Sequence, residues 1–314
     1  MQPYFNYKSN FIGLSFSQQY LKPLEYLVKT WKTLVWLLVE KPQVVWVQLP
    51  PTILLHLLFV YRLLLNQRCL IIADCHNASL RRPWIDIPGF KVLLRRCDIV
   101  LVHNDTIKQQ GLELDIPPHK LYTLEDPPAS IDPEPAGSCS KEYPRPWLLC
   151  PCSFNKDEPI SEIFEAARLA PEITFVLTGN VAKAAKVHGI GKQPNNVVLP
   201  GFLPTQEFDE LLHNADIIMG LTLLDGIQLS VANEAVGAGQ PMVLAATNTL
   251  KTLFHKGAVY ADPKSSNAIA SGCREAVQNH STLQKAVKEL RTERQQAWSE
   301  QANTIKKILV DAAK

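Results

Sequence analysis

The sequence predicts an α/β chain of two open domains, each a sheet of parallel strands covered by helices. Three observations carry this. Short, near-continuous apolar runs alternate with stretches of helical period along most of the chain, which is the pattern of parallel strands buried on both faces. The alternation breaks once, at DPPASIDPEPAGSCSKEYPRP over 126–146, where six prolines follow neither period and mark a linker. The chain has 314 residues, 46% hydrophobic and 20% charged, enough apolar material for two cores.

Each element follows from its local pattern. Before the linker, apolar runs predict strands at 11–16, 43–48, 69–74, 98–102 and, more weakly, 120–124. Helical spacing predicts helices at 20–39, 51–66, 88–96 and 104–112. After the linker, strands are predicted at 147–151, 173–178, 196–199, 215–220, 241–245 and 257–261. Helices are predicted at 158–170, 181–188, 205–213, 230–238 and 265–278, and a polar helical tail places Leu283, Val287 and Leu290 on one face. The expected division is 1–125, a linker at 126–146, a second domain at 147–280 and a tail at 281–314. The first domain begins without a glycine-rich strand–helix turn, because FIGLSF runs directly into QQYLKPLEYL. That predicts a short domain or one lacking its first βα unit.

The segment 44–65, VVWVQLPPTILLHLLFVYRLLL, is long enough to span a bilayer, but Gln48, Pro50, Pro51, His56 and Arg62 argue against it. It reads better as a strand, a turn and an apolar helix with Pro51 in its first turn. The amphipathic stretch YLKPLEYLVKTWKTLVWLL, 20–38, fits either a helix on a membrane surface or an outer helix with its apolar face buried. Charge is nearly balanced overall, 32 Lys and Arg against 30 Asp and Glu, so no global field points to nucleic acid. Residues 1–100 nevertheless hold 12 basic and 5 acidic side chains, a net +7. Seven cysteines, an odd number with no C-x-x-C pair, read as buried thiols rather than disulfides or a zinc site. The opening MQPYFNYKSN lacks a signal-peptide layout. A cytoplasmic location follows as the expectation, with peripheral contact at the cytoplasmic face of a membrane left open.

The strongest chemical signal is TLLDGIQLSVANEAVGAGQPMVLAA at 222–246. Asp225 and Gly226 precede a helix opening near Ser230, Glu234 lies within it, Gly237–Gly239 closes it, and Pro241 leads into the next strand. A helix start at 227–231 offers N–H groups and a positive dipole end to a diphosphate. Glu234 one turn on can accept hydrogen bonds from ribose hydroxyls. This run resembles the fingerprint of the group 1 glycosyltransferases, sugar-nucleotide enzymes of GT-B architecture. It departs from that fingerprint in two ways: the first acid is Asp, and eight residues rather than seven separate it from Glu234.

The resemblance implies two Rossmann-like domains facing a cleft, with the donor held by the C-terminal one. It implies donor contacts from Lys156, where the usual Arg is absent, and from Gly179 and Asn180 in the turn after the second strand. Backbone groups around Leu199–Phe202 would hold the base, and Asp225, Gly226, Ile227, Gln228, Leu229 and Ser230 would surround the diphosphate. Glu234 and His76, which follows the strand CLIIA, would be the catalytic residues; His103 reads as structural. No D-x-D occurs, and no second Cys/His pair stands at ligand spacing near Cys75–His76, so no metal and no cofactor are expected.

The activity implied is transfer of a sugar from a nucleotide diphosphate to a glycan or lipid-linked acceptor. The resemblance implies retention of configuration, and the motifs imply metal independence. Nucleic acid is not an expected partner, and membrane contact through the N-terminal domain is left open. Two alternatives stand beside this: a non-catalytic subunit docking a partner transferase, and a sugar-nucleotide epimerase or hydrolase. A nicotinamide oxidoreductase is remote, since no G-x-G-x-x-G follows a strand.

Overall fold

The computed structural model describes residues 2–13, 19–76, 78–131, 143–189 and 193–312. The chain forms two compact units, residues 1–125 with 300–314, and residues 126–299.

The first unit contains α1 (Gln2–Phe5), α2 (Lys22–Glu40), β1 (Val44–Leu49), α3 (Ile53–Leu64), β2 (Leu70–Cys75), α4 (Phe90–Arg96), β3 (Ile99–Val102), α5 (Asp105–Glu113) and β4 (Leu121–Thr123). The four strands are parallel, in the order β1-β2-β3-β4. Because each crossover advances in the same direction and parallel crossovers are right-handed, α3, α4 and α5 share one face. That face holds a core of Val45, Val47, Ile71, Ala73, Val100 and Val102. The opposite face is closed by elements from the two ends of the chain. Phe5 stacks on Trp46 with ring centroids 5.0 Å apart. The Tyr4 hydroxyl donates to Asn303, and Ala302 and Ile305 are fully buried.

Phe11–Gly13, the described part of the first expected strand, form no strand; 14–16 lie outside the described residues. Extended pairing needs a neighbouring strand, and the order begins at β1. Helix α3 opens at Ile53, two residues after Pro51 rather than around it. No helix among the described residues is long and apolar enough to cross a membrane.

The second unit contains β5 (Trp147–Pro151), α6 (Ile160–Leu169), β6 (Thr174–Thr178), α7 (Val181–His188), β7 (Val197–Gly201), α8 (Thr205–Asn214), β8 (Ile217–Gly220), α9 (Ser230–Ala238), β9 (Met242–Ala245), α10 (Asn248–Leu253), β10 (Ala258–Ala261) and α11 (Ser266–Gln278). Six parallel strands lie in the order β10-β9-β8-β5-β6-β7, so the winding reverses between β5 and β8. β5, β6, β8 and β9 are buried almost throughout, as continuous apolar strands between two helical layers require. A single helix, α12 (His280–Ala312), follows; Val287 and Leu290 join the core of the second unit.

The proline-rich segment is packed where it is described. Ala129 N–H donates to the Asn233 carbonyl of α9, and Arg294 donates to the carbonyl of Asp126. A Cβ on Gly237 would stand 2.2 Å from the Ala129 oxygen, so this close approach requires glycine. Cys69, Cys75, Cys97, Cys150, Cys152 and Cys273 are free thiols, all buried except the half-buried Cys152; Cys139 lies outside the described residues.

Candidate functional site

In an open parallel sheet the loops on either side of a winding reversal diverge to opposite faces and leave a crevice at the carboxyl ends of the strands. In the second unit these are the loop after β5 (152–159) and the loop after β8 (221–229). They are tied to each other. Thr222 Oγ1 donates to Asp157 Oδ2 at 3.0 Å, and Leu223 N–H donates to the Asp157 carbonyl at 2.7 Å. Lys156, next to this tie, is exposed at the tip of its turn. Lys183 holds the same turn from the other side, its Nζ donating to Ser153 O and Asn155 Oδ1, each at 2.7 Å. Glu158 Oε1 accepts from Ser153 N–H at 2.9 Å, and burial pushes its carboxyl up despite that bond. The two lysines therefore flank one loop at the crevice.

The β8 loop leads into α9. Its N-cap is Leu229, whose side chain cannot accept a hydrogen bond, and Ser230 is exposed. The first turn carries no acid, so the positive end of the dipole is not offset from within the helix. Gln228 is buried, and Ile227 and Leu229 are half-buried, Leu229 against Gly220. Glu234, one turn further, is half-buried; its carboxyl is pushed up chiefly by burial and further by the Asp209 carboxylate on α8.

Asp225 and Gly226 are engaged elsewhere. Asp225 Oδ1 accepts from the N–H groups of Gly226 at 2.7 Å and Thr249 at 3.1 Å, and Oδ2 from Asn248 at 3.4 Å. Burial alone would raise this carboxyl, but these bonds outweigh it and hold it below the usual carboxylate range. Asp225 thus joins Thr247, whose Oγ1 accepts from Leu250 N–H, in capping α10. Gly226 has φ +72°, and its N–H also lies 3.1 Å from Thr249 Oγ1.

The β6 turn is likewise shaped by the protein's own packing. Gly179 has φ +128°, and a Cβ there would stand 2.1 Å from the Cys152 oxygen. Its N–H donates to Gly201 O at 2.9 Å. Asn180 caps α7, its side chain accepting from Lys183 N–H at 3.1 Å. Phe202, after β7, is 86% exposed.

In the first unit, His76 follows β2 and His103 follows β3. Strand register sets Gln48 beside Asp74 on the face that carries Trp46. Asp74 accepts from Trp46 Nε1 at 2.9 Å and pairs with His103 Nε2 at 2.8 Å. His76 Nε2 meets Gln48 Nε2 at 2.7 Å, and its ring lies over that of His103 at 4.3 Å. Asp74 and His103 are buried and His76 is half-buried. Donor atoms of Asp74, His76 and His103 lie within 4.8 Å of one another, a grouping from separate strands that local spacing does not reveal. Asn77 lies outside the described residues.

Neither a family model nor a curated protein matches the chain. Solved structures do. A sucrose-phosphate synthase from Thermosynechococcus elongatus superposes with TM-score 0.70 at 14% identity, over 96% of this chain and 81% of that one. The fold is that of the GT-B glycosyltransferases. Anabaena HepE in complex with UDP and glucose gives TM-score 0.70 at 12% identity, over 96% and 84% of the two chains. A UDP-forming trehalose-phosphate synthase from Burkholderia xenovorans gives 0.67 at 13%, over 96% and 81%.

Sequence reasoning did not single out Lys183, Asp157 or Thr222. Lys183 did carry a signal. A lysine in the first turn of a helix opposes the macrodipole, so its place there calls for another partner.

Proposed function

We propose that the chain is a glycosyltransferase that takes a sugar from a nucleotide diphosphate donor held by its second unit. The observation that carries this is the winding reversal between β5 and β8, whose two loops are tied through Asp157 and Thr222 beside Lys156 and the start of α9. A diphosphate leaving group develops negative charge as the glycosidic bond breaks. Positive potential from the first turn of α9 and from the Lys156 ammonium offsets that charge without a metal ion. Glu234 accepts from ribose hydroxyls, and exposed Phe202 supplies an apolar face for the base. Ile227–Ser230 carry the backbone donors. Gly179, Asn180, Asp225 and Gly226 shape these loops rather than contact the donor. The solved neighbours include Anabaena HepE in complex with UDP-glucose, which favours a uridine donor.

In the first unit, Gln48 and the ring of His103, itself held by Asp74, orient His76, which hydrogen-bonds a sugar hydroxyl or moves a proton. The acceptor is a glycan or lipid-linked sugar, and the configuration is retained, as the group 1 resemblance implies. The test is release of nucleotide from a panel of sugar nucleotides, with and without acceptor, in EDTA and in magnesium. Equal turnover in both is expected. Strict dependence on a divalent ion refutes the metal-free mechanism, and binding without turnover favours a non-catalytic subunit. The unidirectional four-stranded sheet of the first unit is the observation on that side.

A further inference from the structure

Helix α2 is amphipathic, with its apolar stripe turned outward. Leu24, Leu27, Trp31, Val35 and Leu38 recur at helical spacing, and all are exposed, Leu27 at 67% and Trp31 at 65%. Between them the inward face carries buried Glu25 paired with Lys29 at 2.6 Å, then Thr33 bonded to the Lys29 carbonyl. Helix α3 packs beside α2 and repeats the arrangement, with Ile53, Val60 and Leu64 exposed.

Both helices precede parallel, paired strands through short loops, so their C-terminal ends lie side by side at one edge of the sheet. Asn66 Nδ2 donates to the Pro42 carbonyl and ties those two loops together at 3.1 Å. At that edge Val39, Leu63, Leu64 and Leu65 are exposed, Val39 at 74% and Leu63 at 71%. Lys41 and Arg68 on the two loops are exposed beside them, as is Lys32 next to Trp31.

A surface of this size made of large apolar side chains marks a docking site. Charge identifies its occupant. From Tyr20 to Arg68 the acids are Glu25 and Glu40, and each is paired, Glu25 with Lys29 and Glu40 with Lys8. Lys32, Lys41 and Arg68 therefore leave the rim positive. A second copy of the chain docking on the same patch would set these cations against each other, because a two-fold interface apposes a surface to itself. An anionic bilayer meets both requirements. Its acyl boundary takes the apolar stripe, its headgroups take the lysines, and Trp31 and Tyr20 sit at the level where amphipathic aromatics collect. We infer that the outward face of α2 and α3 docks the first unit onto an anionic membrane surface, peripherally and without insertion of a spanning helix. The inference is independent of the donor chemistry, since none of these residues belongs to the crevice of the second unit.

The experiment is co-sedimentation of the full chain with vesicles of phosphatidylcholine and phosphatidylglycerol, seven to three, and with pure phosphatidylcholine. The double variant Trp31→Glu, Leu64→Glu runs alongside; both positions are exposed, and its thermal melt checks the fold. The expected result is sedimentation with anionic vesicles at low salt, at least tenfold weaker at high salt or with neutral vesicles, and lost in the double variant. The proposal is overturned by no sedimentation with anionic vesicles, by sedimentation that the double variant retains, or by equal binding to neutral vesicles. A dimer in solution that the double variant converts to monomer also overturns it, by assigning the face to a second copy.

Discussion

Asp225 separates a structural carboxylate from a ligand contact. Its two oxygens accept from three backbone N–H groups, those of Gly226, Asn248 and Thr249. Two of the three lie at the start of α10. Asp225→Ala removes these acceptors, leaving the N–H of exposed Asn248 to water and taking this bond from the N–H of buried Thr249. Losing an N-cap acceptor costs about 1 kcal/mol, and charged hydrogen bonds are stronger, so a loss of roughly 2 kcal/mol is expected. For a protein of this size that is a fall of ~3 °C in Tm. The pH dependence has a definite sign. The folded-state carboxyl lies below its ordinary value, so its contribution is present above the unfolded pKa and is lost as pH falls through the folded one. The gap between wild type and Asp225→Ala therefore closes in acid. Thermal denaturation followed by circular dichroism from pH 7 to 3, with UDP titrated by calorimetry at pH 7, measures both sides. An unchanged melt together with abolished UDP binding refutes the capping role and returns Asp225 to the donor.

Glu234→Gln is expected to abolish turnover while raising stability at pH 7, because burial raises the Glu234 carboxyl and the ionised form is a cost to the fold that appears as pH climbs through that window; a less stable variant at pH 7 contradicts this. Lys156→Ala is expected to weaken UDP at least tenfold and uridine hardly at all, and equal losses for both ligands in calorimetry remove Lys156 from the diphosphate. Lys183→Met takes away both bonds that hold Ser153 and Asn155, so faster amide hydrogen exchange is expected across 152–157 together with a raised KM for the donor; unchanged exchange there shows that the loop stands without it.

The sequence by itself determined the element types of the second unit, because strands buried on both faces must be apolar throughout and so read clearly between polar helices. Trp147–Pro151 and Met242–Ala245 are such cases. It also determined that Ser230 opens a helix and Gly239 ends one, since φ +73° at Gly239 is a demand local to the chain. The tertiary structure alone decided three other matters. Strand order, and with it the crevice between β5 and β8, is set by pairing between distant segments. The partners of a polar side chain are set in the same way: Asp225 reads in sequence as the acid before α9, yet it caps α10, and Asp74 meets His103 from the adjacent strand. The direction of an amphipathic stripe is the third. Helical spacing shows that Leu24, Leu27, Trp31 and Leu38 share one side of α2, but a period repeats without an origin, and only packing against a sheet determines which side faces in.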